Sequence, residues 1–232
     1  VTMSTFFQRT YDQISQELCI NNMPVTLIVI NASVYSVNDV THIGIFDIPM
    51  MSNIPNLVYL APTNKEEYLA MLDWSIEQRR YPVAIRAPRN GVFYSSYEVD
   101  KNYDCINKYK IVNEGEKIAI IALGDFFQLG EELSRKIESE FNIKATLINP
   151  RFITGVDEEM LSKLKNKHAV VITLEDGIID GGFGQKIASY YGNSKIMTFN
   201  YGLKKEFLDC YNLDEVMIIN HLKPELIIKD LK

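Results

Sequence analysis

Two adjoining stretches decide how this chain folds: PVTLIVI at residues 24–30 and NASVYSVNDVTHIGIFD at residues 31–47. The first is a continuous apolar run of strand length, which is typical of a strand buried in a parallel sheet. The second has neither helical nor strand periodicity, and loops of this length in compact domains tend to be functional. It contains His42 and follows the carboxyl end of the predicted strand, where α/β proteins bind ligands. Because a single histidine is more often structural, His42 needs support from the rest of the chain.

The rest of the chain alternates strand and helix patterns, which predicts an α/β protein. We predict two consecutive three-layer α/β domains with mainly parallel sheets, at residues 1–96 and 117–232, joined by a linker with a short strand at 97–116. The first domain is predicted to have a helix at 6–20 capped by Ser4-Thr5, strands at 24–30, 57–61 and 83–86, and a helix at 64–78. The second is predicted to have strands at 117–123, 144–149, 169–175 and 195–199, and helices at 126–141, 157–165, 183–191, 204–210 and 212–222.

A glycine-rich stretch, GGFG at residues 181–184, opens one of the predicted helices. It lacks the G-x-G-x-x-G spacing of a dinucleotide-binding turn, so we reject that function. We predict instead a turn in which the missing side chains let a strand and a helix pack closely.

Composition narrows the classes of partner. A net charge of −6 argues against a general nucleic-acid or membrane-surface binder. The three cysteines, Cys19, Cys105 and Cys210, have no metal-binding spacing, and an unpaired number favours a reducing cytoplasm. We expect no signal peptide, and the sequence shows no apolar run of the roughly 20 residues that could span a membrane. The chain starts on Val1 directly before a helix pattern, so we expect the natural N-terminus to lie further upstream.

Six motifs occur in one order along the chain: FFQRTYDQ (6–13), the apolar run at 24–30, THIGIFD (41–47), IPNLVYLAP (54–62), PVAIRAPR (82–89) and EDGIIDGGFG (175–184). Together they resemble the C-terminal portion of the 1-deoxy-D-xylulose-5-phosphate synthases, thiamine-diphosphate enzymes of the transketolase group. The resemblance implies a pyrimidine-binding domain that lacks its first strand, followed by a transketolase C-terminal domain. It also implies joining of pyruvate and glyceraldehyde 3-phosphate into 1-deoxy-D-xylulose 5-phosphate with release of CO2, for isoprenoid and thiamine biosynthesis.

The resemblance also assigns roles to residues in the first domain. It implies that Phe6 stacks on the aminopyrimidine ring of the cofactor, with Arg9 in the same helix turn, whereas helical spacing alone favours a place for Phe6 in the core. For His42 it implies an active-site residue, and an imidazole in a loop suits proton transfer at a substrate hydroxyl or carbonyl.

Three further residues are expected at the substrate. The resemblance implies that Arg89 contacts the substrate phosphate, although a surface ion pair explains an arginine there equally well from the residues alone. The family usually reads RAGLVGADGPTH where this chain has NASVYSVNDVTH at 31–42, so Asn31 replaces a phosphate-binding arginine and Asn38 an aspartate expected to contact substrate. Met3 likewise replaces a usual tyrosine. These changes are also what a diverged paralogue would show.

The expected cofactors are thiamine diphosphate and Mg²⁺, and the resemblance implies that the diphosphate group and the metal are held by an N-terminal region whose motif is missing from these residues. We therefore expect the chain to need an N-terminal cofactor-binding domain or subunit, to act on small molecules and, by family analogy, to form a homodimer. Two alternatives stay open. One is the small subunit of another thiamine-diphosphate enzyme, either a split transketolase or a 2-oxoacid dehydrogenase in which it would be the E1 β chain. The other is a non-catalytic dimerisation module.

Overall fold

The computed structural model of this protein describes residues 1–35, 38–88, 93–95 and 97–232, and these form two mainly parallel sheets packed with helices. The strands are β1 (Thr2–Met3), β2 (Thr26–Ala32), β3 (Val58–Leu60), β4 (Val83–Pro88), β5 (Lys110–Asn113), β6 (Lys117–Ala122), β7 (Thr146–Asn149), β8 (His168–Ile178) and β9 (Met197–Leu203). The predicted α/β class with two consecutive parallel sheets is confirmed.

The first sheet has the order β1-β2-β4-β3, and all of its pairs are parallel. β2 is the predicted apolar run, and its residue Val29 is fully buried opposite Arg86 of β4. Parallel neighbours on both sides and helices above them explain why this strand is apolar along its length rather than alternating. The carboxyl ends of β2 and β4 therefore lie side by side, and each leads into a stretch that contains predicted site residues.

The second sheet has the order β5-β7-β6-β8-β9, with β5 as an antiparallel edge strand. β5 lies within the predicted linker at 97–116, so part of that segment belongs to the second sheet. The two sheets share one hydrophobic core, to which Val29 and Ala84 contribute from the first sheet and Ile121 and Val171 from the second.

The α-helices are α1 (Tyr11–Gln13), α2 (Asp47–Met51), α3 (Lys65–Glu77), α4 (Phe127–Phe141), α5 (Glu158–Leu164), α6 (Phe183–Tyr191), α7 (Leu213–Ile219) and α8 (Pro224–Asp230). A 3₁₀ turn at Gly124–Phe126 precedes α4. Every helix within the described ranges is too short or too polar to cross a membrane.

Two helix predictions differ from the structure, and two helices were not predicted. The predicted helix at 6–20 is a 3₁₀ helix (Ser4–Thr10), α1 and a π-helical turn (Ile14–Cys19) in succession. The hydroxyl of Thr5 does not cap this segment but donates to the carbonyl oxygen of Thr41 at 3.2 Å. Residues 204–210 do not form the predicted helix. The sequence reading also missed α2 and α8, the latter of which begins with a proline at its first position.

The GGFG turn packs α6 against β8, as predicted. A Cβ atom on Gly184 would come within 2.5 Å of Thr173 Oγ1, so only glycine allows this approach. The carboxylate of Glu175 accepts the N–H groups of Phe183 and Gly184, each at 2.8 Å, and so occupies the start of the helix. Burial raises the pKa of Glu175 to about 8 against the opposing effect of these two donors. A side chain of the protein thus fills the place that a dinucleotide phosphate would need.

Candidate active site

His42 lies in the connection between β2 and α2, and its imidazole is oriented by two neighbours. Its Nδ1 is 2.7 Å from Thr41 Oγ1 and 3.2 Å from Asp39 Oδ1. The Thr41 hydroxyl donates its one hydrogen to Asp39 Oδ1 at 2.5 Å, so both groups that face Nδ1 are acceptors. The proton therefore resides on Nδ1, which makes Nε2 the basic nitrogen of the neutral ring. The side chain is 38 % exposed, so the imidazole is accessible as well as oriented.

Asp39 is held in its ionised form. The pKa of its carboxyl is lowered to about 2, first by the hydrogen bond from the Thr41 side chain, then by the Thr41 backbone N–H and by His42. The Thr41 N–H donates to Asp39 Oδ1 at 2.8 Å, and the N–H groups of His42 and Ile43 donate to the Asp39 carbonyl. Asp39, Thr41 and His42 thus form one hydrogen-bonded turn that stabilises a proton on Nδ1.

Phe6 and His42 are brought together by the structure. Their ring centroids are 5.4 Å apart, with the planes at 69°, which is an edge-to-face contact. Phe6 is 39 % exposed, whereas Phe7 is 4 % exposed and packs in the core. The core position that helical spacing favoured for Phe6 was therefore wrong, because the segment from Ser4 to Thr10 is a 3₁₀ helix rather than an α-helix. Arg9 is exposed in the last turn of that helix.

Asn31 lies at the end of β2 in a left-handed conformation, with φ +53°. Asparagine adopts this conformation more readily than most residues, and the pairing of β2 with β4 is irregular at this point. The loop crosses its own start here, since Ser33 N–H donates to the Gly44 carbonyl at 2.7 Å. A Cβ atom on Gly44 would lie 2.2 Å from the carbonyl oxygen of Asn31, so this crossing requires glycine.

Asn38 is paired with a distant part of the chain. Its amide Nδ2 donates to the Tyr211 carbonyl at 2.7 Å, and its Oδ1 accepts the Tyr211 N–H at 2.7 Å. The predicted phosphate contact, Arg89, lies outside the described residues.

The connection between β2 and α2, residues 33–46, is called the His42 loop here. Arg86 anchors its carboxyl-terminal end. This fully buried side chain donates from Nε to Asp47 Oδ2 at 2.7 Å and from Nη1 to Asp176 Oδ1 at 2.5 Å, while Nη2 reaches the Gly44 carbonyl at 3.4 Å. Tyr59 adds a hydrogen bond to Asp47. Asp176 belongs to β8, so the loop end, the first sheet and the second sheet meet at one guanidinium group.

The sequence reading missed the roles of Asp39, Thr41, Arg86 and Asp176. An acid three residues before a histidine was a usable signal for Asp39. For Arg86 the signal was an arginine inside an otherwise apolar strand, because a cation buried there needs anionic partners. Within the described residues, no cluster of three or more His, Cys, Asp or Glu side chains is arranged to hold a metal ion.

Comparison with known proteins shows which family the chain belongs to. The sequence model of the transketolase pyrimidine binding domain matches residues 1–93, and that of the transketolase C-terminal domain matches residues 107–223. The chain belongs to the transketolase family. The resemblance to 1-deoxy-D-xylulose-5-phosphate synthases is confirmed as well. The enzyme of that name from Clostridium tetani (strain Massachusetts / E88) is 35 % identical over 239 residues, covering 98 % of this chain and 37 % of the relative.

Further transketolase-family relatives agree with this assignment. A 1-deoxy-D-xylulose-5-phosphate synthase from Alkaliphilus oremlandii (strain OhILAs) is 36 % identical over 197 residues, covering 84 % of this chain and 31 % of the relative. The chain therefore spans about a third of the length of these curated relatives.

Among solved structures, a split gene transketolase, described as an inactive beta4 tetramer, has a TM-score of 0.83 at 20 % identity over 98 % of this chain and 73 % of that chain. A transketolase mutant from Pichia stipitis has a TM-score of 0.76 at 17 % identity over 99 % of this chain and 32 % of that chain. At these identities the two structures support the fold alone.

Proposed function

We propose that this chain forms the pyrimidine-binding and C-terminal domains of a thiamine-diphosphate-dependent carboligase of the 1-deoxy-D-xylulose-5-phosphate synthase type. It joins pyruvate and glyceraldehyde 3-phosphate with loss of CO2, in the cytoplasm, and serves isoprenoid and thiamine biosynthesis. The observation that carries the proposal is the turn of Asp39, Thr41 and His42 beside the exposed ring of Phe6. The 35 % identity to a synthase over 98 % of the chain gives that geometry its chemical context.

The residues present fit an aromatic cofactor. The ring of Phe6 is accessible to a flat heteroaromatic ring, and Arg9 adds a positive charge on the same helix. Thiamine diphosphate, when bound, supplies the electron sink for carbon–carbon bond formation. We assign its diphosphate and Mg²⁺ to an N-terminal domain or subunit that works with this chain, in an assembly that is a homodimer of the complete enzyme.

His42 moves the proton in this proposal. With Nδ1–H fixed by Asp39 and Thr41, Nε2 accepts or returns a proton at a substrate hydroxyl or carbonyl oxygen. The ionised Asp39 lies 3.2 Å from Nδ1 and keeps the imidazole oriented during the transfer. Arg89 and Asn31 contact the acceptor substrate, and the neutral Asn31 gives a weaker phosphate contact than the usual arginine.

The proposal is tested by combining the chain with the N-terminal cofactor-binding region of the same enzyme. Pyruvate, glyceraldehyde 3-phosphate, thiamine diphosphate and Mg²⁺ are added, and CO2 and deoxyxylulose phosphate are measured. We expect both products in equal amounts. CO2 without the sugar phosphate would point to another acceptor. Neither cofactor binding nor CO2 release would contradict the proposal in favour of a non-catalytic module.

A second candidate is the smaller subunit of a two-chain transketolase. It is favoured by the superposition of 98 % of this chain on 73 % of the chain from the split gene transketolase. The same preparation supplied with a ketose phosphate donor in place of pyruvate separates the two, because a transketolase forms a new ketose phosphate without releasing CO2.

A further inference from the structure

A segment from the end of the chain contacts the His42 loop. Residues 207–211, between β9 and α7, are called the strap here. The backbone of Tyr211 in the strap exchanges two hydrogen bonds with the side-chain amide of Asn38, each at 2.7 Å. The Val40 N–H donates to Asp209 Oδ1 at 3.2 Å, and the Tyr211 hydroxyl donates to the Val34 carbonyl at 2.5 Å. Four hydrogen bonds thus join the strap to residues before and within the turn that holds His42.

Aromatic packing and backbone conformation support the same contact. The ring of Phe207 lies 5.7 Å from the ring of Phe46, which ends the His42 loop on its other side. Phe207 stays 81 % exposed, so this contact covers only a small part of its ring. Cys210 adopts φ +46°, a left-handed conformation that bends the strap directly before Tyr211. Alternate residues of the strap, Phe207, Asp209 and Tyr211, therefore contact the loop.

The contact requires asparagine rather than aspartate at position 38. An amide presents one acceptor and one donor, and here the Tyr211 N–H and carbonyl take one each. A carboxylate could still accept from the N–H, but its second oxygen would face the Tyr211 carbonyl oxygen at the 2.7 Å now spanned by a hydrogen bond. The geometry of the strap therefore favours an amide over a carboxylate at position 38.

We propose that Asn38 and the strap position the His42 loop, and that Asn38 is a positioning residue instead of a substrate contact. The strap holds Asn38 and Val40 by hydrogen bonds. Asp39 lies between these two residues in the chain, and Thr41 and His42 follow Val40 directly. Its catalytic consequence rests on the proposed function, whereas its structural content does not.

The first test measures amide hydrogen exchange in the full chain by NMR. Asn38→Asp and Asp209→Ala should each speed exchange of the Val40 and His42 amides about fivefold, the effect of losing one hydrogen bond. Asp209→Asn keeps an oxygen that can accept from Val40 and should change the rates less than about twofold. Asn102→Asp is the matched control, since Asn102 pairs both ends of its amide with Asp104 alone. Unchanged exchange in both Asn38→Asp and Asp209→Ala would overturn the proposal.

The second test separates positioning from substrate contact in the enzyme assembled with its N-terminal region. Loss of positioning should lower kcat in Asn38→Asp about tenfold while leaving KM for the acceptor within about twofold. A raised KM with unchanged kcat would instead make Asn38 a substrate contact and contradict the proposal. If the assembled enzyme proves inactive with every substrate, the proposed function fails, yet the exchange rates still decide whether the strap holds the loop.

Discussion

Replacing Arg86 by methionine tests the buried ion cluster that joins the loop end to both sheets. The change removes the cation between Asp47 and Asp176, whose side chains are fully buried. A buried charge that loses its partner costs about 3–5 kcal/mol. Two carboxylates lose their partner here, so we expect a loss of at least about 3–5 kcal/mol, a large part of the 5–15 kcal/mol that stabilises a typical domain.

The assay is urea unfolding followed by the fluorescence of Trp74, the single tryptophan of the chain. Arg80→Met is the matched control, because Arg80 pairs with Asp104 at 2.7 Å where both side chains are about half exposed. Such a surface pair contributes at most about 1 kcal/mol. Arg86→Lys keeps the charge but not the fork of donors, so its loss should fall between the two. The reasoning is refuted if Arg86→Met costs no more free energy of unfolding than Arg80→Met.

Three further changes test the loop. Gly44→Ala places a Cβ atom 2.2 Å from the Asn31 carbonyl oxygen and should lower the free energy of unfolding in urea by about 3 kcal/mol. Gly192→Ala is the control and should be neutral, because its Cβ atom would come no nearer than 3.4 Å to another atom. Equal effects of the two changes would contradict the close crossing. Asn31→Arg forces an arginine into φ +53° and should lower the free energy of unfolding by about 1 kcal/mol. Under the proposed function, the same change lowers KM for the phosphorylated acceptor. A raised KM would contradict a contact between residue 31 and the substrate phosphate. Thr41→Val removes the largest cause of the low pKa of Asp39. NMR titration of the carboxyl group should therefore show this pKa rising from about 2 towards 3.8. An unchanged pKa would mean that Thr41 does not stabilise the carboxylate.

The pH dependence of the Asp39 turn follows from the direction of its pKa shift. The pKa is lower in the folded chain than its ordinary value of 3.8, so the ionised carboxylate stabilises the fold. That contribution is fully present above about pH 4 and is lost as the pH falls towards 2. The His42 amide donates to the Asp39 backbone, so its protection against exchange, taken relative to the intrinsic rate at each pH, should fall over this range in the native chain. The pH dependence should be smaller in Thr41→Val, and an equal dependence would contradict this account.

Local sequence predicts what local interactions decide. The apolar run in β2 and the helix at 183–191, observed as α6 (Phe183–Tyr191), follow from hydrophobic patterning and a glycine turn. The helix predicted at 64–78 is observed as α3, and the side chain of Asn64 caps it by accepting the Glu67 N–H. The helix start at Pro224 carried a usable signal in its proline and the following acid, which the sequence reading overlooked.

Tertiary contacts decide what local sequence could not show. Residues 204–210, KKEFLDC, contain good helix formers, yet Phe207 packs on Phe46 and Asp209 accepts from Val40 instead of forming a helix. The residues that form hydrogen bonds between the strap and the loop are separated by 169 to 177 positions in the sequence. No local sequence pattern can therefore reveal this contact. Motif resemblance placed His42 and Phe6 in one site, but it could not reveal that Tyr211 takes both ends of Asn38.

The most direct measurement of the central claim compares two histidine variants in the enzyme assembled with its N-terminal region. His42→Ala removes the proposed proton-transfer group, whereas His221→Ala removes a histidine of similar exposure that pairs with Asp230 at 2.8 Å in another part of the chain. We predict that His42→Ala lowers kcat for deoxyxylulose phosphate formation about 100-fold or more, and that His221→Ala leaves it within about twofold. Equal activity of the two variants would contradict the role of His42.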